Sequence, residues 1–84
     1  MIDIIKKAFS WIFKTEIKTG FIEMNSSAIK SIAYEVDSLF VLFNDGSLYS
    51  YKAPVSVFYD WLKSESKGRF FNMEVRNKFK GVEV

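Results

Sequence analysis

The chain opens on a helical pattern of polarity. In "MIDIIKKAFSWIFKTEIK", Asp3, Lys6, Lys7, Ser10 and Lys14 fall on one narrow arc at roughly 100° per residue. Ile2, Ile4, Ile5, Ala8, Phe9, Trp11, Ile12 and Phe13 cover the rest of the circumference. Asp3 is placed to cap this amphipathic helix. The period then changes. "SSAIKSIAYEV" carries Ile29, Ile32 and Tyr34 in an extended run behind two turn-forming serines, Ser26 and Ser27. "LFVLF" alternates two apolar sets, Leu39, Val41 and Phe43 against Phe40 and Leu42, so it predicts a central strand covered on both sides. "NDGS" is a hairpin turn, because Asp-Gly tolerates the positive φ that tight turns need. The returning strand is "LYSYK", with Tyr49 and Tyr51 on one face. Pro54 ends it, since proline has no N–H for the ladder.

Two helices follow. "VSVFYDWLKS" sets Phe58, Trp61 and Leu62 at i, i+3 and i+4. "SESKG" breaks it, with Gly68 as a C-cap or turn residue. The last helix is expected from about Phe70 to Phe79. One stripe on it is Phe71, Val75 and Phe79; another is Asn72, Arg76 and Lys80, with Arg69 leading in. The pattern therefore predicts an α+β domain with a small antiparallel sheet of three or four strands, an N-terminal amphipathic helix and two short C-terminal helices. Residues 1–20 would form the helix, packed on or extending a domain of residues 21–84.

Composition changes the picture in two places. The 84 residues are 49% hydrophobic and 18% aromatic, enough for one core without covalent staples. There is no Cys and no His. Disulfides, thiolate chemistry and the usual zinc and copper ligands are thereby excluded, no metal or other cofactor is expected, and a reducing cytoplasm fits. The net charge of +2 is unevenly spread. Residues 63–80 hold six basic residues against Glu65 and Glu74, a net of +4. Residues 21–62 hold two against five acidic ones, a net of −3. This asymmetry points either to an anionic partner for the C-terminal third or to an ordinary solvated helix face. The wide apolar arc of the first helix, with Phe9, Trp11 and Phe13, suits packing on its own sheet, self-association into a homo-oligomer, or lying on a membrane surface. It is too short and too charged to span a bilayer, and a membrane role is the least expected of the three.

From Met24 onward the chain resembles the KTSC domain, a short module named from the C-terminus of some lysyl-tRNA synthetases and also found alone in small bacterial and phage proteins. The resemblance rests on "NSSAI", the "IAY" strand, "LFVLFNDGSLYSY" with its Tyr-x-Tyr, "VFYDWL" and "SKGRFFNMEVRNKF", in order and over about two-thirds of the chain. The family usually has Val-Pro after the Tyr-x-Tyr strand; Pro54-Val55 here shifts the helix start. The first twenty or so residues lie outside the resemblance. RNA binding has been suggested for the family. The resemblance then implicates the Tyr49/Tyr51 pair and the turn Ser66-Lys67-Gly68-Arg69. Each has a structural alternative: tyrosines with core rings, serines that only cap a turn, Gly68 needed for its backbone, and Asn72 bonding the preceding loop.

Three functions remain open on these residues. The first is a non-enzymatic module for nucleic acid, RNA above all, using aromatic stacking and a basic stripe. The second is a pocket for a small phosphorylated ligand such as a nucleotide signal, in a small oligomeric protein of phage type. There Tyr49 and Tyr51 would stack a base, and Arg69 or Arg76 would pair with phosphate. The third is an interaction or inhibitory module docking through Phe9, Trp11 and Phe13. An enzyme is the least expected class, because nothing supplies an activating partner to Ser26, Tyr34 or Lys67. The candidate ligand residues are Arg69, Arg76, Lys67, Tyr51, Tyr49, Asn72 and Lys80.

Overall fold

The computed structural model describes residues 18–84. The N-terminal helix with its Asp3 cap, and the interface residues Phe9, Trp11 and Phe13, lie outside the described residues. Five antiparallel strands form one sheet in sequence order: β1 (Ile22–Glu23), β2 (Ile29–Glu35), β3 (Ser38–Phe43), β4 (Leu48–Lys52) and β5 (Gly81–Glu83). Between β4 and β5 come helix α1 (Val55–Lys63) and helix α2 (Lys67–Phe70), which continues as a π-helical stretch over Phe71–Arg76.

The α+β class holds, and the sheet is larger than three or four strands. β1 and β5 are the additions. β1 pairs Ile22 with Ile32, and β5 pairs Tyr49 with Glu83 and Tyr51 with Gly81. Both are too short to show a period of two in the sequence. The described chain is already paired to β2 ahead of β1. Lys18 bridges to Glu35, and Thr19 exchanges bonds with Tyr34 through its N–H (2.8 Å) and its Oγ1 (2.9 Å).

Side chains on β2 explain why Ile29 and Ile32, three residues apart, both enter the core. A register shift between Ile29 and Ser31 inserts one residue, Lys30, and restores Ile29 to the face that carries Ile32 and Tyr34. Their partners on β3 are Phe43, Val41 and Leu39. This is the face that the helices close, with Phe58, Trp61, Phe71 and Val75. The opposite face was expected to be covered as well. Its Phe40 and Leu42 are only half-buried, and neither belongs to the core cluster.

Trp61 is the pivot of the helical layer. It is 0% exposed, and consecutive rings flank it: Phe70 at 5.8 Å with an interplanar angle of 18°, and Phe71 at 5.7 Å with 25°. Its Nε1–H donates to the Lys67 carbonyl at 3.1 Å, so its polar edge is satisfied. The helix after Ser66 starts earlier than Phe70. Ser66 accepts from the Arg69 N–H, and Gly68 lies within the first turn instead of ending the previous helix. The stripe of Phe71, Val75 and Phe79 packs inward as the spacing predicts.

The two hairpin turns differ in quality. Gly46 takes φ +94° between β3 and β4, as the "NDGS" turn requires. Between β2 and β3, Val36 takes φ 62° with its side chain half in solvent. A β-branched residue is strained there. No helix among the described residues is long and apolar enough to cross a membrane.

Two stability outcomes follow. Trp61→Ala should cost about 3–5 kcal/mol. A domain of this size holds on the order of 5–10 kcal/mol in total, so equilibrium urea unfolding should show most of the cooperative transition lost. Val36→Asn should raise the unfolding free energy by up to about 1 kcal/mol, read as a higher urea midpoint, because Asn tolerates the left-handed region.

Candidate functional site

An open hollow of about 580 Å³ lies where one end of the core face of the sheet meets the helices. Its floor is aromatic. Phe43 meets Tyr49 edge-on at 5.8 Å and Phe71 at 5.5 Å, and Phe71 meets Tyr51 at 5.9 Å. The register explains the grouping: Tyr49 lies opposite Val41 and Tyr51 opposite Leu39, on the face that also carries Phe43.

One lip of the hollow is the β3–β4 turn. Asp45 accepts from the Ser47 N–H at 2.9 Å and from the Ser47 hydroxyl at 2.7 Å, and these bonds hold its carboxyl below the usual range. Asn44 ties this turn to the β1–β2 connection. Its Nδ2 donates to the Ser27 carbonyl at 2.8 Å, and its backbone N–H donates to that of Ala28 at 2.9 Å. Ser26 holds the same connection by accepting from the N–H groups of Ala28 and Ile29, each at 3.3 Å.

The other lip is the π-helical stretch. A π turn bonds i to i+5, which brings position i+5 round beneath position i. Phe71 and Arg76 are five apart, and both line the hollow. Asn72 sits beside Arg76 and accepts from its Nη1 at 3.4 Å. Tyr51 is 6% exposed, and its ring lies against β5 at Gly81, where a Cβ would come within 2.5 Å of it. Burial pushes the Tyr51 phenol above its ordinary value; Tyr49 adds to the rise and Arg76 opposes it.

Tyr49, Tyr51 and Arg76 are thus brought together, with Asn72 alongside. The remaining candidates are not. Lys67 donates from Nζ to the carbonyls of Leu62 (3.0 Å) and Ser64, where it caps the end of α1. Arg69 lines a separate, smaller hollow of about 290 Å³ with Ser66, Phe70 and Met73. Lys80 is exposed and lines neither hollow. Sequence reasoning placed Phe43 and Phe71 in the core and Asn44 in a turn; the structure shows that all three also face the hollow. Only their distance from the chain's alternation could have hinted at this, and that needs the fold. No group of three or more His, Cys, Asp or Glu suited to a metal occurs among the described residues.

A site of this kind offers aromatic faces, two phenol groups and one exposed guanidinium. It suits a ligand that has a planar ring and an anionic group.

Comparison with known proteins agrees with the fold. The KTSC domain family model matches residues 25–79. A crystal structure of a KTSC domain protein from Yersinia pestis is similar, with a TM-score of 0.71 and 29% identity over 77% of this chain and 96% of that one. No curated protein matches the sequence. The family match covers more than half of the chain, and the chain belongs to the KTSC domain family.

The buried phenols set an alkaline limit. Tyr34 is also raised above 10.0, by burial first and by Asp37 second. A raised phenol favours its neutral form in the folded state. That stability is fully present below the unfolded value near 10 and is lost as pH rises beyond it. Ultraviolet titration should show these tyrosines ionising late, and Tyr51→Phe should remove one late step and soften the alkaline loss of stability.

Proposed function

Starting from its membership of the KTSC domain family, we propose that the protein binds a nucleotide unit in the Tyr49–Tyr51–Arg76 hollow, without turnover. The carrying observation is that convergence: two tyrosines and one exposed arginine, contributed by β4 and the π-helical stretch, line one hollow of about 580 Å³. That volume falls within the range of small-molecule sites, roughly 300–1,000 Å³. Tyr49, half-buried, presents its ring to a base, while Tyr51, Asn44 and Ser27 supply polar contacts. Arg76 pairs with the phosphate.

A single guanidinium at the hollow favours a small phosphorylated ligand over a long nucleic-acid track. Single-stranded RNA is the second reading, supported by exposed Lys80 four residues beyond Arg76, which can meet a neighbouring phosphate. The absence of cysteine supports a reducing, cytoplasmic setting.

Titration calorimetry with nucleoside monophosphates and with a single-stranded RNA oligomer tests both readings. Arg76→Ala should weaken the favoured ligand by about 10- to 100-fold, as loss of a charged hydrogen bond worth roughly 1.5–3 kcal/mol implies. Tyr49→Ala should cost a similar factor through lost stacking, roughly 1–3 kcal/mol. Affinity for RNA alone, falling steeply with salt and with Lys80→Ala, would transfer the function to the second reading. Unchanged affinity in folded Arg76→Ala and Tyr49→Ala would remove the site.

A further inference from the structure

The two lips of the hollow differ in what they have left to offer a ligand. On the β3–β4 turn the side-chain donors of Asn44 and Ser47 are committed. The Asn44 amide donates to the carbonyls of Ser27 at 2.8 Å and Ser26 at 3.4 Å, and its backbone N–H goes to the Ala28 carbonyl. The N–H and the hydroxyl of Ser47 both go to Asp45 Oδ1. The acceptors of the same turn stay open. Among the described residues no donor bonds Asn44 Oδ1 or Asp45 Oδ2, and no cation stands within ion-pair distance of Asp45. Both residues are exposed and both line the hollow. The bonds from Ser47 keep the Asp45 carboxyl ionised, so at neutral pH it accepts and does not donate.

The π-helical lip has the reverse character. Arg76 is a donor only, and its contact among the described residues is the 3.4 Å bond from Nη1 to Asn72. A phosphate is attracted by Arg76 and repelled by Asp45. Charge alone therefore orients a nucleotide across the hollow, with its phosphate at the π-helical lip and its base edge at the turn.

Granted the nucleotide reading of this hollow, we propose that the turn lip selects guanine, with Asp45 Oδ2 and Asn44 Oδ1 accepting from its N1–H and its 2-amino group. Two neighbouring acceptors call for two neighbouring donors, and of the four common bases guanine alone carries a pair of them on its Watson–Crick edge. Adenine and cytosine carry an amino group beside a ring-nitrogen lone pair, which would face an acceptor. Uracil carries one N–H between two carbonyls. An acceptor left unmatched in a bound complex costs more than a matched one gains, so such a lip discriminates strongly. The bond to the ionised Asp45 is the stronger of the two.

Calorimetry on the full chain with GMP, IMP, AMP and UMP tests this, because IMP differs from GMP only in lacking the 2-amino group. The expected order is GMP tightest, IMP weaker by several-fold, and AMP and UMP weaker by about 10-fold or more. Asp45→Asn keeps an Oδ1 for Ser47 and suits the turn, but it replaces the open acceptor with a donor. It should weaken GMP by about 10-fold and narrow its lead over UMP. Equal affinity for the four nucleotides, still lost in Arg76→Ala, overturns the base selection and leaves the hollow as the nucleotide site. So does a GMP preference that Asp45→Asn leaves intact. A preference for ribo- over deoxyribonucleotides, with none among the bases, would put the sugar at the turn and also overturn it. Binding of none of them, or binding that Arg76→Ala and Tyr49→Ala do not change, removes the site and the base selection together.

Discussion

The stack of Phe70, Trp61 and Phe71 fixes the rest of the helical layer. Two consecutive residues flank one indole, which a regular stripe at i, i+4 does not require. With Trp61 fully buried on α1, the second helix has to approach so that its chain crosses the indole edge. The Lys67 carbonyl that accepts from Nε1 fixes the approach at its start. Phe71 then has its far side left to meet Phe43 and Tyr51. One packing solution thus joins α1, α2 and the sheet, and the aromatic floor of the hollow is its continuation.

The π-helical stretch is a consequence of the same constraint. Phe71 has to face Trp61 while Val75, at 0% exposure, closes the core one turn later. Widening the turn over Phe71–Arg76 accommodates both and swings Arg76 under Phe71. In a regular helix Arg76 would continue a straight stripe from Asn72 to Lys80. In the folded protein Arg76 still reaches Asn72 and also lines the hollow with Tyr49 and Tyr51.

How much of this was legible beforehand depends on the range of the interactions. The β3 alternation, the "NDGS" turn, the Tyr-x-Tyr face and the inward positions Phe58, Trp61 and Val75 are local patterns, and all are found as expected. The bulge at Lys30, strands β1 and β5 and the π turn are set by partners distant in the chain, and a single sequence has no period for them. Half of the candidate site was legible for the same reason. Tyr49 and Tyr51, implicated by the family resemblance, and Arg76, from the basic stripe, meet in space. Lys67 and Arg69 were implicated by the same resemblance. A pair of helix-end carbonyls takes Lys67, and a separate hollow takes Arg69.

That sorting bears on the uneven charge. The six basic residues of the C-terminal third look like a phosphate track in the sequence. In the fold Lys67 is spent on backbone carbonyls, and Lys78 reaches Glu74 at 2.8 Å within one helical turn. Arg69 belongs to another hollow, so Arg76 is the basic residue that lines the aromatic one. Salt-sensitive binding to a polyanion grows with the number of phosphates neutralised. A ligand in a hollow with one guanidinium would instead depend on stacking and one directed ion pair. The modest net charge of +2 does not count against the proposed phosphate ligand, because a single pocket needs one well-placed cation and not a basic track.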